Sequence, residues 1–141
     1  MSDQTCWKQS WTISGERVAC GEVVESIREA MSDAGIGEAA SFAVRLSLEE
    51  AIANAIRHGH AGDVTRAIAI SAEVSPKEVE LTIADHGPGF DPEAVPDPTA
   101  EENLTIASGR GLALMRAFMT EVEIPPPGNR IILIWRSQTG D

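Results

Sequence analysis

The stretch that most constrains this chain is Ser47–His60, S-L-E-E-A-I-A-N-A-I-R-H-G-H. It contains no Pro, and its one Gly, Gly59, stands near the end, where a helix can stop. At about 100° per residue, Ser47, Glu50, Asn54 and His58 fall on one narrow strip of such a helix. Around most of the remaining circumference stand Phe42, Val44, Leu46, Leu48, Ala51, Ile52, Ala53, Ala55 and Ile56, with Arg45 and Glu49 as exceptions. A helix apolar nearly all round is a buried helix. Its acid and its amide, a turn apart, then face a cavity or a ligand, because each polar group left unsatisfied in an interior costs roughly 1–3 kcal/mol. The plainer alternative is a surface helix with an ordinary solvated face.

The chain has 141 residues, which predicts one domain over 1–141 with room for a real core. Twenty-two acidic residues against 11 basic ones give a net charge of −11. Such a balance repels phosphate backbones and argues against a general binder of nucleic acid or anionic membranes. It leaves room for a small polyanion held by a metal ion and backbone N–H groups, and it suits a basic protein partner as well as simple solubility. Cys6 and Cys20 form no disulfide framework and match no zinc spacing, so they read as packing residues of a reducing compartment. The N-terminus lacks a basic region followed by an apolar core, and no run reaches the roughly 18 apolar residues of a membrane span. A cytoplasmic location is expected.

Residues 6–13, C-W-K-Q-S-W-T-I, begin a strand with Trp7 and Trp11 on one face, as core or as a subunit interface. Val23, Val24, Ile27 and Met31 stand at helical spacing over Gly21 to Met31, and Asp33-Ala34-Gly35-Ile36-Gly37 ends that helix. The central helix is predicted from Glu38 to near Gly59. Two alternating runs follow at 67–74 and 78–85, joined by Ser75-Pro76-Lys77 as a hairpin. In the second, Val79, Leu81 and Ile83 point one way and Glu80, Thr82 and Ala84 the other. Residues 86–103 hold four prolines and two glycines and no sustained period, and a loop this long in a small domain is usually functional or mobile. A further helix is predicted from Gly111 or Leu112 to Thr120, with Leu112, Leu114, Met115 and Phe118 inward. Glu121–Ile124, the turn P-P-P-G-N and the strand 131–136 complete the chain. Strands grouped in pairs predict a two-layer α/β (α+β) sandwich, its sheet mixed but mostly antiparallel, with helices on one face.

Two more stretches carry chemistry. Asp85-His86-Gly87-Pro88-Gly89-Phe90-Asp91 lies where a strand ends. A carboxylate there can accept hydrogen bonds from an amine-bearing ligand such as adenine, while the two glycines let backbone approach it closely. A β-turn would use the same residues. Ser108-Gly109-Arg110-Gly111-Leu112 opens the last helix, where exposed N–H groups and the positive end of the dipole suit phosphate. It is neither a P-loop nor a Rossmann fingerprint. Two histidines at the end of the central helix, His58 and His60, with His86 in the glycine-rich stretch, read as capping and loop contacts rather than a metal site.

In this order and spacing the three stretches resemble the N box and the two glycine boxes of the ATPase superfamily that includes gyrase, Hsp90, histidine kinases and MutL (GHKL). E-A-x-x-N-A-x-x-H-G from Glu50 to Gly59 is the most specific element, with D-x-G-x-G-F from Asp85 to Phe90 and S-G-x-G-L-x-L-M from Ser108 to Met115 beside it. Within the superfamily the chain most resembles the stand-alone serine/threonine kinases that act as bacterial anti-sigma factors, over about Ser10 to Ser137. The resemblance implies the Bergerat ATP-binding fold, with ATP and Mg²⁺ as ligands. By position, Asn54 would be the Mg²⁺ ligand and Glu50 the general base drawing a proton from a serine hydroxyl. Asp85 would accept from the adenine amine, and Gly87, Gly89 and Phe90 would shape the pocket floor. Ser108, Gly109, Arg110, Gly111 and Leu112 would wrap the phosphates, beneath a lid over about 91–109 centred on Glu93 to Ala107. The implied partners are ATP or ADP, an anti-anti-sigma-type antagonist and a sigma factor or similar regulator, with a homodimer among the assemblies the resemblance suggests.

The chain also departs from that pattern. Some kinases of this kind carry an Arg two residues before the first glycine of the second box, where this chain has Ala107. Arg110 offers a guanidinium from another position, and Glu101 and Glu102 put negative charge in the lid. No phosphoacceptor-histidine hairpin is found in the sequence. The expected activity is Mg²⁺-ATP-dependent phosphorylation of a serine on an antagonist protein. The alternative is a non-catalytic nucleotide-binding switch on the same fold.

Overall fold

The computed structural model describes residues 6–14, 16–56, 67–85, 107–126 and 128–137. In chain order they form β1 (Trp7–Ser14), α1 (Arg17–Asp33), α2 (Glu38–Asn54), β2 (Ala67–Ser75), β3 (Glu78–Ala84), α3 (Ala107–Phe118), β4 (Glu121–Glu123) and β5 (Arg130–Arg136). The strands make one five-stranded sheet in the order β1-β2-β3-β5-β4. All four pairings are antiparallel, so the sheet has no parallel pair among the described strands.

The period-2 pattern sets which way each strand faces. Ile68, Ile70, Ala72 and Val74 of β2, Val79, Leu81 and Ile83 of β3, and Ile131 and Leu133 of β5 are buried. Register places them opposite one another, as in Ile70↔Ile83↔Ile131 and Ala72↔Leu81↔Leu133. Trp7, Trp11 and Ile13 extend this face on β1, facing Val74, Ile70 and Ile68. The two indole rings lie 6.0 Å apart and tilted, half-buried against the core, which is the core option for these tryptophans. Burying such a face stabilises by about 25 cal/mol per Å² of apolar surface removed from water. The opposite face carries Ser71, Glu73, Glu80, Thr82 and Arg136, and there Arg136 pairs with Glu78 at 3.3 Å and Glu121 at 2.5 Å.

The turn between β2 and β3 is two residues, Pro76 and Lys77. The Ser75 hydroxyl donates to the Glu78 carbonyl at 3.2 Å, and the Ser137 N–H donates to the Lys77 carbonyl at 2.8 Å. Register in a hairpin follows from the loop length, so this turn pins β3 against β2.

The three helices account for the other layer. In α1, Val23, Ile27, Ala30 and Met31 are buried at helical spacing. The helix runs from Arg17 to Asp33, four residues earlier at its start than periodicity predicts. It ends in a Schellman arrangement, with Gly35 N–H bonded to Ser32 O and Ile36 N–H to Met31 O, both at 3.0 Å. Gly35 has φ +83°, a conformation open to glycine at little cost, and the buried Ile36 closes the motif. Gly37 then caps α2, which starts at Glu38 as predicted.

Two faces differ from expectation. Phe42 of α2 is 52% exposed, because α1, α3 and the sheet pack on α2 and leave a fourth side open. Among the described side chains of α3, Leu112 and Met115 are buried, as is Met119 just past its end, while Leu114 and Phe118 are exposed. The i, i+3, i+7 stripe wins over the neighbouring i, i+4 pair, since one stripe of a helix this short meets the layer beneath. Cys20 is half-buried, the pKa of its thiol pushed up by burial, and its Sγ is directed to the Ser14 carbonyl at 3.9 Å, whereas Cys6 is exposed.

Candidate nucleotide site

The polar strip of α2 survives folding. Val44, Leu48, Ala51 and Ala55 form the buried stripe of the helix. Beside it lie Ser47 and Asn54, seven residues and two turns apart and within about 20° in direction. Ser47 is 0% exposed and Asn54 2%. Among the described residues, neither the Ser47 hydroxyl nor either polar atom of the Asn54 carboxamide has a hydrogen-bond partner. Glu50, between them along the strip, is half-buried. The helix therefore carries an orphaned amide two turns from an orphaned hydroxyl, with a carboxylate between. Buried polar groups are paired in the great majority of structures, and those that are not call for an explanation.

Asn54 is also the last residue of the α-helix proper. Ala55 and Ile56 continue it as a π-type turn, although the Ala55 N–H itself still bonds Ala51 O and Ile52 O in the α and 3₁₀ manner. Turns of this kind recur at functional sites in helices. No sequence signal marks this one. The predicted continuation of the helix to Gly59, with His58, and the histidines at 60 and 86 lie outside the described residues.

Asp85 follows directly on β3, the central strand. Its N–H donates to Asn129 O at 2.9 Å, one step beyond the Ala84↔Arg130 pair, and so prolongs the β3–β5 ladder. Alternation carries Asp85 to the side of Val79, Leu81 and Ile83, the face that α2 covers. Gly87, Gly89 and Phe90 lie outside the described residues. The site thus gathers α2 and the end of β3 on one side of the sheet.

The last expected component differs in its bounds. Helix α3 begins at Ala107 rather than Gly111 or Leu112, so Ser108, Gly109, Arg110 and Gly111 form its first turns. A glycine costs a helix about 1 kcal/mol relative to Ala, too little to forbid this where packing favours it. The N–H groups of Ala107, Ser108 and Gly109 are among those an α-helix leaves without an intrahelical acceptor. Leu112 is buried and anchors the helix, which packs along α2. The expected lid over about 91–109 lies outside the described residues, apart from the three that open α3.

These donors can be tested against a divalent cation. Among the described residues no group of three or more His, Cys, Asp or Glu side chains is placed to hold a metal. A cage made wholly of protein ligands is therefore not what this strip provides. A carboxamide oxygen is a hard donor, and Mg²⁺ keeps several waters and takes phosphate oxygens, so one protein ligand suffices. The orphaned Asn54 oxygen fits that requirement. Two shallow apolar hollows, of about 320 and 250 Å³, lie elsewhere, against Trp7 and Ala30 and against Val24 and Ile52. Neither is lined by Asn54 or Asp85.

A helix-borne acid and amide over a one-sided antiparallel sheet, with a strand-end aspartate and a glycine-bearing helix start, make up the arrangement to which the motifs pointed. The histidine kinase-like ATPase domain matches residues 14–135, and the chain belongs to that family. An anti-sigma F factor of Clostridium perfringens (strain 13 / Type A) is 30% identical over 96 residues, covering 64% of this chain and 68% of that protein. One from Anoxybacillus flavithermus is 37% identical over 84 residues, 57% of each chain. The serine/threonine-protein kinase BtrW of Bordetella bronchiseptica is 35% identical over 80 residues, 55% of this chain and 56% of that one. Against the curated relatives it matches, this chain spans between about half and two thirds of their length. Among solved structures, the RsbU and RsbW domains of Rv1364c from Mycobacterium tuberculosis superpose with a TM-score of 0.62 at 19% identity, over 92% of this chain and 31% of that one. That likeness establishes the shared fold.

Proposed function

We propose that this chain binds Mg²⁺-ATP and transfers its terminal phosphoryl group to a serine of an antagonist protein, while holding a sigma factor or similar regulator in the alternative complex. The observation that carries this reading is the Asn54 carboxamide, 2% exposed with both polar atoms unpartnered, one turn from Glu50 on a helix of the histidine kinase-like ATPase fold. Bound Mg²⁺-ATP would supply the phosphoryl group and the charge neutralisation that such a transfer needs. Asn54 would hold the metal through its side-chain oxygen, and Asp85 would accept from the adenine amine. The first turns of α3, Ser108 to Leu112, would receive phosphate oxygens on backbone N–H groups. Glu50 would take the proton from the attacking serine hydroxyl, a step worth roughly 10²–10⁴-fold when the base is positioned. The anti-sigma F factors and the serine/threonine-protein kinase among its relatives support this choice of acceptor and partner.

The test has two parts. Isothermal titration with ADP and Mg²⁺ should give metal-dependent binding, and its absence at millimolar nucleotide would remove the reading. Incubation with γ-labelled ATP, Mg²⁺ and anti-anti-sigma-type proteins of the same organism should label a serine on one of them. Ala107, at the position where some kinases of this kind carry an Arg, favours a second reading: a nucleotide-sensing switch that binds partners without transfer. Nucleotide binding with no labelled acceptor would select it.

A further inference from the structure

The Ser47 hydroxyl is buried as completely as any side chain in the core, and it has no hydrogen-bond partner. A serine in that state costs folding free energy that an alanine would not, so its packing alone gives no reason for the oxygen. Its place on α2 gives one. Helical side chains lean toward the N-terminus, so a residue reaches over the turn before its own. Glu50 leans over the turn that bears Ser47, as Asn54 leans over the turn that bears Glu50. Positions three apart bring their Cβ atoms to within about 5–6 Å, within reach of a hydroxyl and a carboxylate. Of the side chains within one turn of Glu50 on this helix, residues 46–54, only Ser47 and Asn54 carry an O–H or N–H. On the proposed reading, Asn54 would be engaged by the metal.

We propose that Ser47 is a positioning residue for Glu50, its hydroxyl donating to the Glu50 carboxylate and holding the other carboxylate oxygen toward the incoming serine. This rests on the reading of Glu50 as the base. A carboxylate is acceptor-only when ionised, so it takes the Ser47 hydrogen on one oxygen and keeps lone pairs on the other for the substrate proton. The hydroxyl is orphaned where Glu50 is half-exposed, and it gains its partner when the carboxylate swings inward over the bound nucleotide.

Ser47→Ala and Ser47→Thr test this alongside Glu50→Gln. The unliganded Ser47→Ala protein should melt at or above the wild-type temperature, because an orphaned hydroxyl has been removed. Its affinity for ADP with Mg²⁺ should be unchanged. Its phosphotransfer rate to the labelled acceptor at saturating ATP should fall about tenfold or more, part of what a positioned base supplies, with no change in KM for ATP. Ser47→Thr, which keeps the hydroxyl, should recover most of that rate. A Ser47→Ala protein that transfers at the wild-type rate while Glu50→Gln does not would overturn the proposal and leave the reading of Glu50 standing. A Ser47→Ala protein that melts lower and transfers normally would also overturn it, since the hydroxyl would then be bonded within the helix. If wild type and Glu50→Gln transfer equally, Glu50 is not the base and both ideas fall.

Discussion

Glu50 and Asn54 share one strip of α2 a single turn apart, yet the carboxylate is half-exposed while the carboxamide is 2% exposed with both polar atoms unpartnered. The inequality separates their tasks. On the proposed reading, the sunk and unsatisfied amide takes a ligand that brings its own charge, whereas the half-exposed carboxylate stays reachable by a second molecule.

Asn54→Ala should abolish the metal-dependent part of ADP binding, read by titration with and without Mg²⁺. Because the amide makes no hydrogen bond in the unliganded protein, the same variant should keep its melting temperature or gain on it. A large loss of stability would show that the amide is a structural group instead.

Glu50→Gln keeps the size and removes the proposed base. Affinity for ADP with Mg²⁺ should hold within about twofold, while serine phosphorylation should fall by roughly 10²–10⁴-fold. Single-turnover measurements with labelled ATP give the rate without product release.

Gly35→Ala addresses the fold alone. A Cβ added at Gly35 meets nothing within 4 Å, so the cost is one of backbone conformation at φ +83° rather than of collision. It should come to about 1–2 kcal/mol, read as a drop in the denaturant midpoint with an unchanged slope. Nucleotide affinity should stay the same, since the turn lies at the far end of α2 from Asn54.

The acid limb of stability should depend on Arg136. Its guanidinium, hydrogen-bonded to Glu121, holds that carboxyl below its ordinary value of 4.5. A carboxylate whose pKa is lower in the folded state contributes stability that is complete above the unfolded value and is lost as pH falls through the folded one. Arg136→Met should therefore flatten the fall in melting temperature below about pH 4.5. Both side chains are exposed, so the difference should be small, and smaller still at high salt.

The parts of this fold legible in the sequence are those governed by local periods. Val79, Leu81 and Ile83 alternate cleanly with Glu80, Thr82 and Ala84, and the structure buries the first set. Gly35 and Gly37 announce one helix end and the next helix start because each conformation there is set within a few residues. The face of α3 was not legible. In L-A-L-M-R-A-F-M several stripes are apolar, and only the layer beneath selects Leu112, Met115 and Met119 over Leu114 and Phe118. The strip of α2 was legible as geometry, but the isolation of Ser47 and Asn54 from hydrogen-bonding partners depends on what packs around them. That is a tertiary fact, and no spacing encodes it. Gly87, Gly89 and Phe90 fall outside the described residues, so the first glycine box stands on its sequence.

The two-residue turn at Pro76 and Lys77 has a reach beyond its own hairpin. Strand β3 translates its register into the position of Asp85, about 23 Å away at roughly 3.3 Å per residue. One residue inserted there, if the turn absorbed none of it, would send Val79, Leu81 and Ile83 to water and deliver the aspartate to the wrong side of the sheet. The adenine contact proposed for Asp85 would then be lost through an error at the opposite end of the strand. The length of that distant corner is, on the proposed reading, a dimension of the binding pocket.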